Sequence, residues 1–205
     1  MKRTPAKLTR QRAQTLKNSS TERERLLKDE VVQPTAGIAC LRAWEEAFMA
    51  EYRVVGVSAE TAAKVRRTGK SPGYGHPVHS EVATGYGPCR LCLRDFQIGA
   101  DRRLLFTYDP FFRQEPYPLP GPVFIHESEC PPFPEDGGFP RDLRSHDLTL
   151  DAYARGRRLI AEEHVAGGGK VDELVASLLA RPEVDYIHVR DTQAGCFDFR
   201  IERPV

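Results

Sequence analysis

No apolar run in this 205-residue sequence approaches the roughly 18 residues that cross a bilayer, which excludes a transmembrane helix. The N-terminus is basic, but no apolar stretch of about 7–15 residues follows it, so it does not read as a secretory signal. There is no P-loop, no G-x-G-x-x-G after a strand, no H-E-x-x-H and no G-x-S-x-G. Those absences remove the sequence signatures of phosphate cradles, zinc-helix proteases and serine hydrolases. No internal repeat is visible, so no solenoid or propeller is expected. A dominant charge is missing too: 30 Lys/Arg stand against 29 Asp/Glu, a net of +1. The expected location is the cytoplasm. There the five cysteines (40, 89, 92, 130 and 196) are reduced, which favours metal binding, catalysis or burial over disulfides.

The near-zero charge hides an asymmetry. Residues 1–48 hold ten Lys/Arg and six Asp/Glu, a net of +4, while the remaining 20 basic and 23 acidic residues give the body −3. The body therefore offers no general electrostatic footprint for nucleic acid. The first twenty residues carry six basic side chains, no acidic one and little apolar pattern. They read as an arm for nucleic acid or another anionic partner, or as a disordered leader with too little apolar surface to offset ordering. Residues 38–50 have the spacing of one short amphipathic helix through Ile38, Leu41, Trp44, Ala47 and Phe48. Met49 is the next methionine after Met1. Trp44-Glu45-Glu46-Ala47 is encodable with an AGGAGG ribosome-binding sequence about five nucleotides before it. The expectation is that translation starts at Met49, so that 1–48 is a basic leader outside a single 49–205 domain.

Within the body, Arg53–Val57 reads as a strand and Ser58 as the N-cap of a helix ending near Gly69. Residues 69–88, rich in Gly and Pro, read as a loop holding His76 and His79. Arg102–Tyr108 and Val123–His126 are β-rich, and the proline-broken stretch between them can wall a small-molecule pocket or simply pack. Leu148–Ala154 and Arg158–Val165 alternate around Gly156 as a hairpin. Gly167–Gly169 reads as a flexible turn before a helix over Val171–Ala180, stopped by Pro182. Val184–Val189 and Cys196–Ile201 are the last strands. About seven strands and two helices, joined mostly as hairpins, predict a single-domain α+β fold with a largely antiparallel sheet.

GPCRLCLRDFQIG carries the clearest chemistry. Two cysteines separated by two residues can point inward from one tight turn whose amides support the thiolates. Pro88 and Gly99 fit a Cys89-x-x-Cys92 knuckle, and VFIHESEC then offers His126 and Cys130 as a second ligand pair. Cys89, Cys92, His126 and Cys130 around zinc is the first reading, with Cys196 as reserve ligand. A redox dithiol is the rival, but the pair leads into a turn and strand rather than a helix whose N-terminus would lower the thiol pKa. Plain burial is the third reading. Cys196, in AGCFDF, reads as a buried core residue, or as a nucleophile near His188. His188, in YIHVRD, shares a face with Tyr186 and Arg190 and reads as a satisfied or surface histidine. His76 and His79 read as solvated, or as acid-base groups.

The segments HPVHSEVATGYGPCRLCLR, RLLFTYDPF, PYPLPGPVFIH and YIHVRDTQAGCFDFRIER together resemble a bacterial family catalogued as domain of unknown function 1203. The resemblance runs from about Tyr52 to the C-terminus. It implies that several of His76, His79, Cys89, Cys92, His126, Cys130, His188 and Cys196 meet at one site, and it supplies no activity. Three functions follow as expectations: a zinc protein with a structural or small-molecule-binding role; an enzyme using metal-bound water, or Cys196 with His188 or His126; and nucleic-acid binding through the leader. The expected start at Met49 is checked by intact-mass measurement of protein made from its native locus; a mass near 23.1 kDa overturns it.

Overall fold

The computed structural model describes residues 52–85, 87–111 and 118–204. The basic leader, the 38–50 segment and Met49 lie outside them. The described elements run β1 (Arg53–Val55), α1 (Ala59–Thr68), β2 (His79–Val82), β3 (Arg102–Tyr108) and β4 (Gly121–His126). After a 3-10 turn at Asp142–Ser145 come β5 (Leu148–Ala154), β6 (Arg158–Val165), α2 (Val171–Leu179), β7 (Tyr186–Asp191) and β8 (Phe197–Glu202). The fold is α+β.

Among the described residues the strands form two antiparallel sheets. The larger has the order β1-β8-β7-β5-β6 and the smaller β2-β3-β4. Each sheet has its own core. Leu148, Leu150 and Ala152 of β5, with Ile187 and Val189 of β7, pack under Val171, Val175, Leu178 and Leu179 of α2. This is the alternation and helical spacing of the sequence turned into a buried layer. The smaller sheet packs Leu104, Phe106, Val123 and Ile125 against Ala62 and Val65 of α1 and against Cys89 and Cys92. Helix α1 begins as the sequence predicts: the Ser58 hydroxyl accepts from the Thr61 amide at 3.1 Å, and Gly69 closes it in the left-handed region at φ 61°.

Three local expectations are corrected. The supposed loop 69–88 contains β2, whose His79–Val82 pairs with β3 from His79↔Leu105 to Val82↔Arg102. Its side chains are exposed or half-buried, so no apolar alternation marks it; pairing with β3 makes it a strand. The first strand ends at Val55; the next residue, Gly56, lies so close to the knuckle that a Cβ there would be 2.5 Å from the Arg90 carbonyl. Gly167 is not merely flexible: a Cβ there would lie 2.2 Å from the Ser145 carbonyl, and its amide donates to Asp147 Oδ1 at 2.8 Å.

Arg90, inside the knuckle, joins the two halves. Its amide donates to the Phe124 carbonyl of β4 at 2.8 Å, and its own carbonyl accepts from Val57 N at 2.7 Å. Its guanidinium donates through Nε to the Phe197 carbonyl at 2.8 Å and pairs through Nη2 with Asp198 Oδ1 at 2.7 Å. The two side chains are 4% and 0% exposed. Removing one partner of such a buried pair strands the other charge, so Arg90→Ala is expected to cost about 3–5 kcal/mol of unfolding free energy. Burial pushes the Asp198 carboxyl up to about 6, although Arg90 pulls the other way. An acid whose folded pKa exceeds its unfolded value near 4 adds stability below that value and loses it as pH rises through the folded one. Denaturant titrations from about pH 4 to 6 are therefore expected to show wild type losing stability relative to Asp198→Asn; parallel curves would contradict this.

Candidate metal centre

The knuckle is shaped by its own backbone. Cys89 N donates to the Arg94 carbonyl at 2.9 Å and Leu93 N to the Cys89 carbonyl at 2.8 Å. Leu93 takes a positive φ of 54°, and Pro88 bridges to Asp95 across the turn. The curl leaves both sulfurs on one side. His126 closes β4 and Cys130 follows in the next turn, which brings the second pair against the first. Cys89 and Cys130 Sγ are 3.8 Å apart, and Cys92 Sγ is 3.5 Å from His126 Nδ1. All four donor atoms lie within 4.8 Å of one another.

These spacings bear on chemistry. A disulfide needs sulfurs about 2.05 Å apart, so the cysteines are free thiols. Bonds of about 2.3 Å to sulfur and 2.0 Å to nitrogen give tetrahedral edges of about 3.8 Å between sulfurs and 3.5 Å between sulfur and nitrogen. Two of the donor pairs already stand at these edge lengths, and the four residues could hold a metal ion. Three thiolates around a divalent ion leave one negative charge, and Arg66 of α1 faces it: Nη2 lies 3.5 Å from Cys130 Sγ while Nε donates to the His126 carbonyl at 3.0 Å. The His126 amide donates to Cys89 Sγ at 3.3 Å. Asp101 Oδ2, 3.3 Å from His126 Nε2, fixes the tautomer that turns Nδ1 toward the sulfurs.

Proton affinities follow the same geometry. Hydrogen bonds from Cys130 and then Cys92 push the Cys89 thiol down, so the first thiolate forms easily. Bonds to Cys130 and Cys89 push Cys92 up, and bonds to the same two sulfurs raise His126 to about 10. A cation entering the cluster displaces these shared protons.

The other singled-out residues go elsewhere. His76 Nε2 bonds Thr107 Oγ1 at 2.6 Å, and exposed His79 lies 3.5 Å from Glu81. Cys196 does not join the four-residue group. It is half-buried with its thiol raised by burial, and it lines a cavity of about 420 Å³ together with His188. His188 corrects the expectation of a satisfied or surface histidine: it is 3% exposed, and its Nε2 has no hydrogen-bond partner among the described residues. Phe111, Tyr186, Phe197 and Tyr153 surround its ring at centroid distances of 4.5, 5.1, 5.1 and 5.4 Å. Burial lowers its pKa to about 3, so it is neutral at physiological pH. Asp151 sits opposite it in the β5–β7 register and takes two bonds from Arg190, at 2.6 and 3.1 Å.

Residues 86–203 match the family model described as protein of unknown function (DUF1203), more than half of the chain. The chain belongs to that family. No curated protein and no solved structure matches it. The match takes in the Cys/His cluster and the described cavity residues and leaves His76 and His79 outside.

Arg66, Asp101 and Arg90 were not singled out by sequence, because each acts through a partner brought by another element. Register carries the one usable signal, since pairing β5 with β7 sets Asp151 beside His188. Asp101→Ala removes the carboxylate that orients His126 and is expected to weaken metal affinity about 10–100-fold, as read by chelator competition.

Proposed function

We propose that this chain is a zinc protein whose Cys89, Cys92, His126 and Cys130 hold a structural ion, and whose cavity beside His188 binds a small molecule. Four protein donors within 4.8 Å of one another, two pairs of them at tetrahedral edge lengths, support the first half. Three thiolates and an imidazole suit zinc, and four protein ligands fill its coordination shell, leaving no position for reactive water. The ion would tie the knuckle to the end of β4, and it supplies cross-linking rather than chemistry. The redox reading has less support, because the pair leads into a turn instead of a helix N-terminus.

The enzymatic alternative draws on Cys196 and His188 lining one cavity. Burial works against it. It raises the Cys196 thiol and holds His188 as a weak base, the reverse of an activated nucleophile and its partner. Binding is the better reading of such a pocket.

The test is metal analysis of the full-length protein purified without chelator, paired with denaturant unfolding. One zinc per chain is expected. Cys92→Ser is expected to lose the metal and cooperative unfolding together, while Cys196→Ser keeps both. Metal-free protein that still unfolds cooperatively overturns the zinc assignment.

A further inference from the structure

The cavity lies between the ends of β3 and β4 and the face of the larger sheet that turns away from α2. The register shifts of the larger sheet, at Ala152/Tyr153 and Val189/Arg190, fall at its rim. Such bulges re-aim side chains, and here they accompany Tyr153 and Arg190 lining the cavity. Its walls are rings: Phe111 stands edge-on to Tyr153 at 5.4 Å, and Tyr108 lies 5.9 Å from Phe197. Leu119 and Leu159 line the same cavity and remain 56% and 49% exposed, an apolar entrance that water covers poorly.

Among the polar groups of this lining, which include Asp151 and Glu162, two bear on a ligand as donors. One is the buried His188 Nε2, unpartnered among the described residues. A buried polar atom left so carries an unrecovered desolvation cost, which a bound acceptor would offset. The other is Arg190. Its Nε and Nη2 serve Asp151, and Nη2 also serves Glu162 at 3.0 Å, so among the described residues Nη1 remains for a further acceptor.

Charge then narrows the ligand. Arg190 already faces two carboxylates, so the group carries a net negative charge and disfavours an anion. A cation meets competition as well: the Arg157 guanidinium already lies 5.0 Å from the Phe111 ring centroid, where a cation would seat. What remains favourable is a flat, apolar, uncharged body with an acceptor at one edge.

We infer that this cavity binds an uncharged planar aromatic molecule that presents a carbonyl edge to His188 and Arg190. Ring contacts with Phe111, Tyr153 and Phe197 hold its faces, and Leu119 and Leu159 cover its outer end. The carbonyl accepts from Nη1 of Arg190 and from Nε2 of His188 when that nitrogen carries the proton of the neutral imidazole. The inference rests on the small-molecule reading above and gives that ligand a chemical class.

Four matched probes test it by isothermal titration calorimetry on the full chain, with zinc content measured on the same sample. They are 2-naphthamide, 2-naphthoate, 2-naphthylmethylammonium and the decahydro analogue of the amide. The amide is expected to bind at least about tenfold more tightly than each of the others. His188→Phe, which keeps the ring and removes the nitrogen, is expected to weaken it about tenfold, near 1.4 kcal/mol for one hydrogen bond. Leu159→Ala, at an exposed position, is expected to weaken all three aromatic probes alike.

Preference for a charged probe overturns the ligand class and leaves the small-molecule role standing. No binding to folded protein carrying one zinc per chain overturns the inference and leaves the zinc assignment intact. Folded protein without zinc overturns that assignment whatever the probes do. An unchanged amide affinity in His188→Phe overturns the role given to His188.

Discussion

The buried pair between Arg90 and Asp198 is the constraint on which both halves of this fold rely. One residue sits in the turn that carries two candidate metal ligands, and the other lies at the start of β8, an inner strand of the larger sheet. A single guanidinium closes the gap with a charge pair and a bond to the Phe197 carbonyl. Burying two charges is expensive, and mutual attraction offsets the cost only when geometry and further hydrogen bonds are good. Arg90 meets that condition with backbone acceptors at Pro88 and Phe197, whereas the Asp198 oxygens, beyond the charge pair, have no hydrogen-bond partner among the described residues. Because Phe197 also lines the cavity, the knuckle and the cavity wall are held in register by the same side chain.

The Cys/His cluster and the cavity divide the labour in opposite ways. Three of the four cluster donors have a neighbour in the second layer: Arg66 beside Cys130, Asp101 beside His126 and the His126 amide on Cys89. The cavity is unsaturated, with a neutral histidine in a ring of aromatic side chains and an arginine whose two acidic partners leave part of its fork unused. Saturated polar networks fix structure, whereas unsatisfied ones invite ligands.

How much of this the sequence disclosed depends on the range of the interaction. The helix at 59–68 and the β5–β6 hairpin were legible because Ser58, Gly69 and Gly156 and the apolar spacing act within one element. Cys89, Cys92, His126 and Cys130 were legible because ligand chemistry restricts the residue types. β2 was not, since a half-exposed edge strand gains its hydrogen bonds from β3 and shows no period of its own. His188 was misjudged for a related reason. Alternation gave its face correctly, but its burial comes from Phe111 and Phe197, which arrive from other parts of the chain. Arg66 and Asp101 acquire meaning only after α1 and the turn before β3 converge on His126.

The pairing of β1 with β8 has a consequence for how the chain is made. During synthesis the knuckle, β3, β4 and Cys130 all leave the ribosome well before Asp198, so the cluster can close around an ion as a local unit. The larger sheet cannot. Its first strand waits for its last, from Arg53↔Glu202 to Val55↔Arg200, and Arg90 waits with it as a solvated charge. The four cluster residues are thus together before β8 emerges, and the long-range closure that creates the cavity has to wait for residue 197, where loop closure makes it slow. A nascent chain stalled before residue 197 would carry all four cluster residues while the cavity still lacked its last wall.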